Sequence, residues 1–130
     1  MTEPVITGIV VFAHGSRIES ANQAVRDVAA RMPASERDLV ETAFLELGQP
    51  DLAGAVERLV LRGAARIIVI PYFLTLGTHL QRDLPRLAAE AARRYQNVAI
   101  QVTSPLDGHP ALLQALLDRA SEASAAKKAV

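Results

Sequence analysis

Four short apolar runs, rich in β-branched residues and nearly free of polar interruption, constrain the fold of this chain more than any other feature. They lie at residues 6–13, 39–45, 67–73 and 98–102. A strand with one face in water alternates apolar and polar residues, whereas an unbroken run indicates a strand buried on both faces. Such strands belong to parallel sheets covered by helices on both sides, and the segments between these runs carry a helical period. At 130 residues the chain can bury one core but not two.

Ala21, Val25, Val28, Ala29 and Met32 recur at helical spacing between the first two runs. Pro50-Asp51 is a start signal for a second helix, Leu52, Val56, Leu59 and Val60 form its stripe, and Gly63 is its stop. Leu84, Leu87, Ala88, Ala91 and Tyr95 predict a third helix, with Pro85 in its first turn, Asp83 as its cap and residues 78–82 as a separate short turn. A fourth begins near Gly108-His109-Pro110, with proline at the first helical position, and is expected to bury Leu112, Leu113, Leu116, Leu117 and Ala120. Residues 123–130, rich in Ala, Ser and Lys, are expected to fray, which leaves one domain over 1–122. The expected architecture is a single doubly wound α/β domain. Its four-stranded parallel sheet has the order 2-1-3-4, because right-handed crossovers cover both faces only when the winding reverses once.

Composition removes several classes of function. Fourteen Lys and Arg are balanced by fourteen Asp and Glu, and only five aromatic residues are present, which argues against a nucleic-acid surface. The longest apolar run, 67–77, is far short of the roughly 20 residues of a membrane span. Met1-Thr2-Glu3-Pro4 lacks the basic stretch of a signal peptide, so a cytoplasmic location with no membrane partner is expected. With no cysteine, any metal must be held by histidine, by carboxylate or by a substrate.

In open α/β sheets ligands bind beyond the carboxyl ends of the strands, where the winding reverses. Three segments should meet there: Ala13-His14-Gly15-Ser16-Arg17, Leu45-Glu46-Leu47-Gly48 and Leu74-Thr75-Leu76-Gly77-Thr78-His79. His14, Glu46 and His79 are 32 and 33 positions apart, yet the fold brings all three to one rim. Two imidazoles and a carboxylate suit a divalent first-row ion and leave room for a reacting group. Taken singly, each has a plainer reading as a capping histidine or a solvated loop carboxylate, with Gly15 and Gly77 as turn glycines. His109 reads as structural, beside the proline of a helix start. Arg17 and Arg82 each lie three residues beyond a candidate ligand, where a guanidinium could meet a substrate carboxylate. Ser16 and Ser104 lack the nucleophile elbow of acyl-transfer enzymes.

Phe12-Ala13-His14-Gly15-Ser16-Arg17, then Ala43-Phe44-Leu45-Glu46-Leu47-Gly48-Gln49-Pro50, then Ile68-Val69-Ile70-Pro71-Tyr72-Phe73-Leu74 leading to Gly77-Thr78-His79-Leu80-Gln81-Arg82-Asp83-Leu84-Pro85, resemble the short CbiX-type sirohydrochlorin chelatases. The resemblance extends from about residue 9 to about residue 117. It implies a class II chelatase-like fold with flavodoxin-like winding, and insertion of a divalent ion into a tetrapyrrole with release of two protons. Co2+ comes first, with Fe2+ and Ni2+ as the other ions, in cobalamin or siroheme biosynthesis. The ion is then a substrate, no prosthetic group is fixed in the protein, and a chain of one unit implies a homodimer. His14 and His79 are implied as metal ligands and catalytic residues, with Glu46 as the acidic catalytic and substrate-binding residue. Ser16, Arg17, Leu74, Thr75, Leu76, Gly77 and Thr78 are implied as substrate-binding. Imidazole suits this chemistry: it binds first-row ions without locking them in, and its ordinary pKa of about 6.5 permits proton acceptance. Two alternatives remain at this point, a tetrapyrrole or metal carrier without turnover and a metal-dependent hydrolase using the same two histidines and glutamate.

Overall fold

The computed structural model describes residues 5–32 and 38–128. Residues 1–4, which the signal-peptide reading uses, and residues 129–130 of the expected tail lie outside the described residues. The elements in chain order are β1 (Thr7–Ala13), α1 (Glu19–Ala30), β2 (Asp38–Phe44), α2 (Leu52–Leu61), β3 (Arg66–Pro71), α3 (Thr78–Arg94), β4 (Ala99–Val102) and α4 (Pro110–Lys128). The strands pair in parallel in the order β2-β1-β3-β4, the winding expected from the sequence. No helix among the described residues is long and apolar enough to cross a membrane.

Alternate side chains of a strand point to opposite faces. On one face Val10 and Phe12 of β1 and Ile67 and Val69 of β3 are closed off from solvent, in a cluster with Val56 and Leu59 of α2 and Leu84 of α3. Full burial of each such side chain stabilises by about 1.5–3 kcal/mol relative to exposure, so this face holds the fold. α2 starts where Pro50-Asp51 predicts, with the Asp51 carboxylate accepting the Gly54 N–H at 2.8 Å.

α3 differs from expectation at its start. Residues 78–82 are not a separate turn: the helix begins at Thr78 after an N-cap at Gly77, and Pro85 lies inside it. Asp83 caps nothing and faces Arg86 at 3.8 Å. An interior proline withholds the N–H that would reach Gln81 and costs about 3 kcal/mol. Burial of Leu80 and Leu84 is of comparable or larger size, which is why the helix runs through.

α4 overturns a second expectation. It begins at Pro110 as predicted, and Nδ1 of His109 accepts the Ala111 N–H at 3.1 Å, so His109 serves as a helix cap. The expected burial does not occur: Leu113, Leu116 and Leu117 are 62%, 69% and 55% exposed, Leu112 is only half-buried and Ala120 is exposed. Among the described residues α4 packs substantially against no strand or other helix, and it continues past residue 122 to Lys128. On the sheet face away from the core, Ile9, Ile68 and Ile70 are only partly covered. Apolar periodicity requires that a helix bury one face, but it does not say against which surface or which molecule.

Candidate active site

The strand register sets the rim. Ala13 stands beside Phe44 and Phe12 beside Pro71, so the chain leaves β1, β2 and β3 at one edge. Pairing continues past the strands, with the Leu45 N–H donating to the Ala13 carbonyl at 2.9 Å and the Glu46 N–H to the His14 carbonyl at 3.0 Å. That ladder makes His14 and Glu46 neighbours, and Nε2 of His14 lies 3.7 Å from Oε1 of Glu46 with both side chains more than half exposed. Nδ1 of His14 lies 3.2 Å from the Gly15 carbonyl. In the neutral tautomer whose Nδ1 donates to that carbonyl, Nε2 keeps its lone pair. In that tautomer two acceptors face each other, and a proton or a cation is what such a pair can share.

His79 is the second residue of α3 rather than a loop residue, and the buried Leu80 beside it fixes that turn. His14 and His79 line one cleft of about 320 Å³ together with Leu45, Phe73, Gly77, Thr78 and Leu80. Glu46 does not line it. Among the described residues no three His, Asp or Glu side chains converge closely enough to hold an ion, so the expected two-histidine, one-glutamate set is not assembled as a single ligand group. Strand order explains this: β1 lies between β2 and β3, which puts the exits to Glu46 and to His79 two strand spacings, roughly 10 Å, apart. His14 is the shared member.

Leu74 is 65% exposed, Thr75, Gly77 and Thr78 are exposed, and Leu76 is half-buried. The Asp107 N–H holds the Leu74 carbonyl at 2.7 Å and Nε2 of Gln81 donates to the Leu76 carbonyl at 3.1 Å. A largely apolar cleft of about 380 Å³ opens between Leu74 and Leu112 and Leu116 of α4. Arg17 and Arg82 are exposed at the rim. Ser16 is otherwise engaged: its N–H donates to Oδ1 of Asn22 at 2.8 Å and its Oγ accepts the Ile18 N–H at 3.0 Å.

Sequence reasoning missed Asn22, which is 1% exposed. The available signal was a residue of poor helix propensity at the spacing of Val25 and Ala29, on the stripe that α1 turns inward. Gly15 is also more than a turn glycine. Its φ is +94°, and a Cβ there would stand 1.7 Å from the Glu46 carbonyl oxygen, so the two loops touch through its missing side chain. Beside them, hydrogen bonds from Arg26 and then Asn22 hold the Glu19 carboxyl below the usual glutamate range.

The CbiX family model matches residues 8–123. The chain is 34% identical over 113 residues to a chloroplast sirohydrochlorin ferrochelatase of Arabidopsis thaliana, a match covering 86% of this chain and 50% of that protein. It is 33% identical over 124 residues to a sirohydrochlorin cobaltochelatase of Saccharolobus solfataricus, covering 88% of this chain and 94% of that one. Among solved structures, the sirohydrochlorin chelatase SirB of Bacillus subtilis subspecies spizizenii in complex with cobalt superimposes with a TM-score of 0.80 at 29% identity, covering 91% of this chain and 51% of SirB. The chain thus spans about half of two of these relatives and nearly all of the third.

Proposed function

The chain belongs to the CbiX family, and on that footing we propose that it is a sirohydrochlorin metal chelatase, inserting Co2+, Fe2+ or Ni2+ into the macrocycle. The observation that carries this reading is the facing pair Nε2 of His14 and Oε1 of Glu46 at 3.7 Å. His14 of this pair also lines, with His79, the cleft beside it.

Insertion must strip water from the ion, present it to four ring nitrogens and carry away two pyrrolic protons. The ring loses two protons and gains a divalent ion, so its charge is unchanged. His14 and His79 take the incoming ion. Because Nε2 of His14 cannot hold a metal and accept a proton through one lone pair, it acts as base only after the ion has passed to the ring, and Glu46 takes the second proton. Proton transfer of this kind contributes typically about 10²–10⁴-fold in rate. Leu74 and Leu76 suit the face of a large ring, Thr75, Gly77 and Thr78 its edge, and Arg17 and Arg82 its peripheral carboxylates. The Ser16 N–H, already donated to Asn22, is left out of that set.

A hydrolase would hold its zinc with three protein ligands, and the lack of a converged trio among the described residues favours an ion that is held briefly and released. A second copy of the chain accounts for α4. Leu113, Leu116 and Leu117 project from a helix without a surface to cover, while Ile68 and Ile70 lie on a sheet face without a complete cover. In a homodimer these surfaces meet, beside the apolar cleft under Leu74.

The test is an anaerobic absorbance time course of sirohydrochlorin with each of the three ions, with and without the protein. Accelerated loss of the metal-free spectrum is the expected result, and the fastest ion indicates the pathway served. Ring binding without acceleration would make the protein a carrier, and zinc retained stoichiometrically through dialysis would make it a hydrolase.

A further inference from the structure

We infer that Asn22 is a positioning residue, a buried clamp that sets the His14 loop against the Glu46 loop; the inference rests on the chelatase reading for its catalytic consequence only. Every hydrogen-bonding position of its amide except one acceptor lone pair is used on the rim. Oδ1 accepts the Ser16 N–H at 2.8 Å, and Nδ2 donates to the Ser16 carbonyl at 2.9 Å and to the Leu47 carbonyl at 2.9 Å, with Oε2 of Glu19 at 3.3 Å. Ser16 is two residues beyond His14, and Leu47 is the residue after Glu46. One side chain therefore ties together the segments that carry His14 and Glu46, from helix α1, which itself packs on β2 and β1.

Leu47 gives an independent reason for the clamp. Its φ is +57°, the left-handed region that costs a residue with a Cβ roughly 1–2 kcal/mol. Its side chain is half exposed and so contributes little packing to hold it there. Backbone strain persists only where the surroundings over-determine it, and the bond from Nδ2 of Asn22 fastens the Leu47 carbonyl in that turned position. The Gly15 contact with the Glu46 carbonyl sets how close the loops come, and Asn22 sets their register along the rim. A misplacement of about 1 Å at a reacting centre can cost on the order of 10²-fold in rate.

The experiment has two arms. In the first, amide hydrogen exchange is compared between wild type and Asn22→Ala, with Asn22→Ser carrying the same comparison where the alanine variant does not fold. The clamp predicts at least about a tenfold loss of protection at Ser16 and Glu46, with Val10 and Val69 unchanged, as local opening does. Equal loss at all four amides, or loss at none, would overturn it. In the second, Co2+ insertion into sirohydrochlorin is measured for wild type, Asn22→Ala, Glu46→Gln and the double variant. Asn22→Ala should lower kcat about 10- to 100-fold with KM changed far less, and by less than about threefold once Glu46 is already glutamine. The same fold-loss in both backgrounds assigns Asn22 to plain stability and defeats the positioning role. Glu46→Gln turning over as fast as wild type would defeat the role given to Glu46, and the exchange arm would still decide the clamp.

Discussion

On the β2 side of the rim, the Glu46 carbonyl closes on Gly15, and the Asn22 amide holds both the Ser16 backbone and the carbonyl of Leu47, whose backbone is left-handed. On the β3 side, Leu74 stands 65% exposed, a Cβ at Gly77 would meet nothing within 4 Å, and among the described residues α4 beyond it packs substantially against no strand or other helix. The difference matches two of the tasks of a chelatase, proton acceptance and reception of the ring, with the ion taken between the sides by His14 and His79. Accepting protons at His14 and Glu46 requires side chains already held at a fixed spacing, and the β2 side is built that way. Receiving a flat macrocycle requires apolar surface left open for it, and the β3 side offers that surface.

The largest effect should come from His14, the residue common to both sides. His14→Ala should lower the insertion rate by at least about 10²-fold, while its melting temperature stays near that of wild type because the side chain is more than half exposed. A large loss of stability in this variant would mean that His14 is structural and would remove the distinction between the two sides. Next come the two glycines. Gly15→Ala should destabilise the fold by more than about 1 kcal/mol in denaturant titrations, given its positive φ and the clash with Glu46. Gly77→Ala should stay within about 0.5 kcal/mol of wild type. Equal effects would show that the β3 side is as tightly built as the β2 side.

A third prediction concerns α4. Leu116→Glu should shift sedimentation from dimer to monomer while leaving thermal stability of the monomer nearly unchanged, since this side chain is 69% exposed in the single chain. A wild-type chain that sediments as a monomer would leave the apolar face without the proposed partner. The smallest effect belongs to Glu19. Its folded pKa lies below the ordinary carboxylate value, chiefly through the hydrogen bond from Arg26. The unfolded state thus binds the proton more tightly, and the contribution is present above the unfolded pKa and lost as pH falls through the lower folded value. Melting curves of wild type and Glu19→Gln should accordingly differ slightly at neutral pH and converge in acid; a gap that widens in acid would contradict the assignment.

Strand order and the His14–Glu46 neighbourhood could be read from sequence because unbroken β-branched runs specify a parallel sheet, and a parallel sheet specifies where its loops meet. The start of α3 could not, since Pro85 is a boundary signal only until burial of Leu80 and Leu84 outweighs it. The separation of Glu46 from the cleft that holds both histidines depends on β1 lying between their strands. The sheet order predicts that separation, but listing ligand types along one rim hides it. Asn22 escaped notice because its helix stripe shows that it faces inward without showing that two loop carbonyls wait there. α4 has the pattern of a packed helix, and a pattern does not name the surface it packs on.

The contrast between the two sides is tested most directly by amide exchange of the wild-type protein with and without metal-free sirohydrochlorin. Protection should rise in the segment 74–80, while Ser16 and Glu46, already held, should change little. Protection that rises at Ser16 and Glu46 and stays flat across 74–80 would mean that the ring itself orders the His14–Glu46 side, and the division of the rim argued above would be wrong.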